Sequence, residues 1–149
     1  MKEYRHLGVY GLILKEEKIV LIKKCGGPYD GKLDLPGGTI EFGETPEETL
    51  KRELQEEIGV EVIEYELYDA NSVKFEWHRK ENEILNHQHI GIFYKVTKYD
   101  KDLKKEVEID EKNDDSKGAD FYEINKLKKE ELSAIALLEL EKLGYKLQN

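Results

Sequence analysis

The chain has 149 residues, 38% hydrophobic and 38% charged, with a formal net charge of -9. That length suits one domain with a proper core, and the negative surface disfavours long DNA or RNA and asks for a cation between the protein and any small anionic substrate. Cys25 is the only cysteine, which excludes an intrachain disulfide and agrees with a reducing, cytoplasmic location. The opening MKEYRHLGVYGLIL lacks a signal-peptide pattern, and no apolar run is long enough to span a bilayer, so no membrane partner is expected.

In chain order, residues 6–14 and 18–24 read as two strands around a polar turn at Lys15–Lys18. Residues 26–32 hold three glycines and a proline and read as a loop. LDLPGG at 33–38 reads as a short strand ending in a glycine pair, and a helix follows from Pro46 to Ile58. Strands are expected at 61–69, 72–78 and 88–98, then a charged loop from Asp100 to Gly118. A second amphipathic helix fits Lys129–Leu143, with Leu132, Ile135, Ala136, Leu140 and Leu143 on one face and Gly144 as its stop. Strands mixed with two helices, without a βαβ repeat, predict an α/β or α+β fold with a mixed sheet between helices.

The first helix is well specified. Thr45 suits the N-cap, Pro46 the first turn, and Glu48 completes a capping box, while Gly59 suits the left-handed stop. Glu53, Glu56 and Glu57 fall at i, i+3 and i+4, so their carboxylates share a face. Like charges at that spacing repel by a few tenths of a kcal/mol per exposed pair, and Glu57 also lies near the negative end of the helix dipole. A hard divalent cation turns this repulsion into coordination, and Arg52 can steady a carboxylate by a charge-assisted pair. On spacing alone, a solvated acidic face remains the alternative.

From Gly38 to Val60 the chain reads GTIEFGETPEETLKRELQEEIGV. This resembles, at every fixed position, the signature box of the Nudix hydrolase family: Gly38, Glu44, Arg52, Glu53, Leu54, Glu56, Glu57, Gly59 and Val60 all match. Leu35, Pro36 and Gly37 resemble the usual lead-in. The resemblance implies an α/β/α sandwich with a mixed sheet, the box forming loop–helix–loop, in one domain over residues 1–149. It implies Mg²⁺ or Mn²⁺ held by Glu53, Glu56 and Glu57, with the Gly38 carbonyl near the metal and Glu44 and Arg52 holding the carboxylates in place. It further implies hydrolysis of a diphosphate bond in a nucleoside di- or triphosphate, or in a nucleoside diphosphate linked to another moiety. Lys24, Gly37 and Gly38 are the expected substrate-side residues; the expected partner is a small nucleotide-like molecule, with a homodimer left open.

Outside the box the signals thin out. One late acid among Glu108, Asp110, Glu111, Asp114 and Asp115 is a candidate further ligand. His87 and His89 share a strand face, a pattern more often structural or solvent-facing than metal-binding. Phe75, Trp77 and Tyr29 are candidates for stacking on a base or for core packing. Leu33 stands where many relatives carry Trp, which counts against base stacking there, and no proline follows Pro46, which reads against the ADP-ribose subgroup and toward nucleoside triphosphates or a related nucleoside diphosphate derivative. The alternatives are a Nudix-fold sensor that binds nucleotide without cleaving it, and an isomerase on the same fold. The sensor reading expects lost box acids. The isomerase reading expects a pocket cysteine, whereas Cys25 precedes a glycine loop outside the box.

Overall fold

The computed structural model describes residues 2–103 and 116–149. Its elements are β1 (Lys2–Leu12), β2 (Leu14–Lys15), β3 (Lys18–Lys24), β4 (Leu33–Asp34), β5 (Gly37–Thr39), α1 (Pro46–Ile58), β6 (Glu61–Lys80), β7 (Glu83–Asp100), β8 (Ser116–Glu123) and α2 (Ala134–Lys142). One sheet has the order β5-β1-β7-β6, with β1 and β7 parallel and the other pairs antiparallel. In the other sheet β3 pairs with β2, β4 and β8.

Strict alternation along these strands builds two cores on opposite faces. Tyr10, Leu12, Ile19, Leu21 and Phe93 pack with Ile135, Ala136 and Leu140 of α2. Val9, Ile13, Val20, Ile22, Tyr94 and Val96 pack with Leu50, Leu54 and Ile58 of α1. Each face needs its own helix to cover it, so the mixed α+β sandwich expected from the sequence is what forms. Among the described residues, no helix is long and apolar enough to cross a membrane.

Several boundaries differ from the sequence reading. LDLPGG is two strands: β4 pairs with β3 and β5 with β1, so the Leu35–Pro36 step passes from one sheet to the other. The strands expected at 61–69 and 72–78 are one strand, because β7 pairs along the whole length of β6. Residues 116–118, read as loop, begin β8, which the polar composition concealed. The second helix starts at Ala134 because Ser133 caps it through the Ala136 amide, and Leu132 precedes the helix while Leu143 ends it. Lys129–Glu131 forms a separate 3-10 turn. The late acids Glu108, Asp110, Glu111, Asp114 and Asp115 lie outside the described residues.

One buried contact on α2 predicts how stability varies with pH. Glu139 is fully buried beside Asp69 of β6, and among the described residues neither of its oxygens, nor Asp69 Oδ2, has a partner of ordinary geometry. Lys142 pairs with the other Asp69 oxygen. A proton kept on one Glu139 oxygen and donated to Asp69 Oδ2 pairs two of these three atoms. Burial, then the neighbouring Asp69, pushes the Glu139 carboxyl up to about 8. The unfolded chain loses this proton near pH 4.3, so the group's contribution is full below that pH and is lost as pH rises through about 8. Glu139→Gln keeps the neutral form at every pH. The gap in melting temperature, variant minus parent, is expected to widen between pH 5 and pH 8.5 by about 3 °C or more. A gap that stays constant across that range means Glu139 is ionised in the fold.

Candidate active site

The box helix is held at both ends as its sequence requires. Thr45 Oγ1 accepts from the Glu48 amide, Glu48 reaches back to the Thr45 amide, and Gly59 ends the helix at φ 77°. With Leu50, Leu54 and Ile58 buried under the sheet, the acids are turned to its side. Glu57 is 8% exposed, and the side chains of Glu53 and Glu56 are 17% and 60% exposed.

Arg52 organises this face. Its Nε and Nη2 bond both oxygens of Glu44 at 2.7 and 2.8 Å, and its Nη1 lies 2.9 Å from Glu53 and 3.3 Å from Glu56. Nη2 also donates to the Thr39 carbonyl at 3.1 Å, tying the helix to β5. Glu44 accepts as well from Thr49 Oγ1 and the Glu41 amide. The hydrogen bonds from Arg52, with the Glu41 amide next, hold the Glu44 carboxyl down to about 2.

The glycine pair brings backbone against these acids. The Gly37 amide donates to Glu57 Oε1 at 2.8 Å. Gly37 sits at φ 145°, and a Cβ there would lie 2.1 Å from the Val9 carbonyl oxygen, so only glycine fits. A Cβ on Gly38 would lie 2.6 Å from the Glu53 carboxylate. Close approach thus demands glycine at 37 for the backbone to fit, and at 38 for the Glu53 carboxylate to keep its place.

The acids form one wall of a cleft of about 830 Å³, shared by Lys24, Cys25, Tyr29, Asp34, His87 and His89 among others. Asp34 is buried and accepts from Ser133 Oγ at 2.6 Å and from the Leu35 amide, so it joins the cleft to the start of α2. Tyr10 Oη lies 2.5 Å from His89 Nε2 and Tyr29 Oη 2.8 Å from His89 Nδ1. Burial, and then the nearby His6, His87 and Lys24, lower the His89 imidazole to about 3, so it is neutral.

The donor set suits a hard divalent cation: three carboxylates face one cleft beside the Gly37–Gly38 backbone, and the missing Cβ of Gly38 leaves Glu53 its space. Among the described residues no three potential ligands already converge on one point. Arg52 meets Glu53 through Oε1 alone and Glu56 through Oε2 alone, so it can hold both carboxylates while the second oxygen of each serves an ion.

The sequence matches the NUDIX domain family over residues 4–142. The chain belongs to the Nudix hydrolase family. ADP-ribose pyrophosphatase of Methanocaldococcus jannaschii is 32% identical over 134 residues, covering 87% of this chain and 71% of that protein. 8-oxo-dGTP diphosphatase of Escherichia coli is 38% identical over 77 residues, covering 45% of this chain and 60% of that protein. The crystal structure of a MutT NUDIX hydrolase from Burkholderia pseudomallei shares the fold, with a TM-score of 0.73 at 19% identity over 94% of this chain and 98% of that one. Nudix hydrolases are generally dependent on divalent metal.

This Nudix hydrolase brings together the eight residues expected, from the box and Lys24, to serve the metal and the substrate. Glu53, Glu56, Glu57, Arg52, Lys24, Gly37 and Gly38 line the cleft, and Glu44 grips Arg52 from behind. Cys25, set aside in the sequence as lying outside the box, lines it too. His87 and His89, read as structural or solvent-facing, are buried in its wall. Tyr10, Asp34 and His6 gave no sequence signal of their own. Their only trace was the shared face of His87 and His89, and the partners on that face depend on strand register.

Proposed function

We propose that the chain cleaves a diphosphate bond in a nucleotide-like small molecule, using Mg²⁺ or Mn²⁺ held by Glu53, Glu56, Glu57 and the Gly38 backbone. The observation that carries this reading is one cleft with the box acids on one wall and Lys24, tyrosines and histidines around the rest. When bound, the ion supplies charge neutralisation for the diphosphate and a water acidified for attack. Arg52 and Glu44 fix the helix acids against β5, and the Gly37 amide orients Glu57. Lys24 offers a compact positive charge to a phosphate oxygen. The proposal includes a cytoplasmic setting and admits a homodimer.

Substrate choice lies between two chemistries that the relatives' names carry, ADP-ribose and 8-oxo-dGTP. The lack of a proline after Pro46 leans to the triphosphate, whereas the relative matched over 134 residues is named for ADP-ribose. A panel of nucleoside triphosphates, ADP-ribose, 8-oxo-dGTP and nucleotide sugars with Mg²⁺, read by product mass, tests the reading. Binding without turnover across the panel favours the sensor alternative.

The same panel tests the metal. EDTA is expected to abolish hydrolysis, and Mg²⁺ or Mn²⁺ to restore it, with the rate rising toward alkaline pH as the nucleophile ionises. Full activity in metal-free buffer, or an optimum near pH 5, overturns the mechanism.

A further inference from the structure

Two histidines on β7 face the same way, but their neighbours treat them differently. Both nitrogens of His89 lie against tyrosine hydroxyls, and His6 stacks on its ring with centroids 4.5 Å apart. His87 is equally buried, at 3% exposed against 2%. Its Nδ1, however, has no hydrogen-bond partner among the described residues. Buried polar atoms are nearly always paired, so an orphan in the wall of a cleft asks for a ligand.

What surrounds His87 narrows that ligand. Parallel pairing with β1 and antiparallel pairing with β6 set Tyr4, His87 and Phe75 in one row across three strands. Phe75 stacks on His87 with centroids 5.0 Å apart, Tyr4 lies at 5.1 Å, and Trp77 stands edge-on at 6.4 Å. Burial lowers the His87 imidazole below its ordinary value, so the ring is neutral and presents one donor or one acceptor at Nδ1. A neutral, directional group among aromatic rings is poorly suited to phosphate and well suited to a planar heterocycle with a polar edge.

We infer that His87 is the specificity residue for the far end of the substrate, and that this end is a nucleobase hydrogen-bonded to His87 Nδ1 beside the aromatic row. The inference rests on the proposed function for one thing, that the diphosphate lies at the acidic wall. His89, locked by Tyr10 and Tyr29, is a positioning residue that keeps this part of the wall in place.

Free nucleosides test it without metal or hydrolysis. Adenosine, guanosine, 8-oxoguanosine, cytidine, uridine and thymidine are titrated into the protein, with ribose as the base-free probe, and ring nitrogens are followed by NMR. At least one nucleoside is expected to bind more tightly than ribose and to shift the His87 Nδ1 resonance. His87→Phe, which keeps a ring and removes its nitrogens, is expected to weaken that nucleoside roughly tenfold, about one hydrogen bond, and to leave ribose unchanged. His87→Asn, which returns a polar atom near the Nδ1 position, should recover part of the loss. On a nucleotide that is turned over, His87→Phe should raise KM and spare kcat. No nucleoside preference over ribose, an unmoved Nδ1 resonance in the parent, or equal nucleoside binding by His87→Phe overturns the inference. Because nucleosides carry no diphosphate, binding without any panel hydrolysis sinks the proposed function alone, and hydrolysis that ignores His87 sinks this inference alone.

Discussion

Glu57→Gln is expected to cut turnover by more than about 100-fold, the upper end of what losing a supporting partner of a metal ligand costs. The fold should tolerate it. The Gln carbonyl can still accept the Gly37 amide hydrogen bond that Glu57 Oε1 takes at 2.8 Å. The change also removes a like charge four residues from Glu53 and an anion from the negative end of α1, so the melting temperature should hold or rise. Glu47→Gln is the control on the same helix. Glu47 accepts a hydrogen bond from the Tyr65 hydroxyl at 3.1 Å, away from the cleft, and a Gln carbonyl can keep it. Steady-state kinetics on the best panel substrate, with Mn²⁺ titration, separates the readings. A solvated acidic face gives small, equal effects for both changes. Parent-like turnover by Glu57→Gln would falsify the assignment of the box acids, however complete the motif.

Gly38→Ala is expected to fold and to lose most of its activity. Its new Cβ meets no backbone among its nearest neighbours, only the Glu53 carboxylate at 2.6 Å, and a flexible side-chain end can move aside. The displaced carboxylate then no longer holds its place in the ligand set. Misplacement on the order of 1 Å at a reacting centre costs about 100-fold, so kcat should fall by roughly that much and apparent Mn²⁺ affinity should weaken. Gly37→Ala is a different case. Its Cβ would strike the Val9 carbonyl oxygen at 2.1 Å, and its φ of 145° is poor for any L side chain. That variant should be unstable or insoluble, with activity lost through the fold. If Gly38→Ala keeps parent activity, the tight packing of Gly38 on Glu53 plays no part in the chemistry.

Much of the catalytic half was legible because its determinants are local. Capping box, apolar stripe and acidic face all lie within one helix, where a spacing of three or four residues fixes which side chains are neighbours. The partition of Ile19, Val20, Leu21 and Ile22 between two cores likewise follows from strand alternation alone. Boundaries that depend on a partner far along the chain are not legible in the same way. β6 is unbroken because β7 pairs with all of it, and LDLPGG divides because its two ends pair in different sheets.

The other wall of the cleft was decided by tertiary structure. A sequence can say that His87 and His89 share a face. It does not say that parallel register sets His6 beside His89 and Tyr4 beside His87, or that Tyr10 and Tyr29 converge on one imidazole. Register is set by the packing of both faces against α1 and α2, and a slip of one residue would turn the strand residues Tyr4, His6 and Tyr10, or His87 and His89, to the opposite face. The box helix therefore determined the metal-facing chemistry by itself, whereas the groups that can read the rest of the substrate exist only once β1, β6 and β7 are aligned.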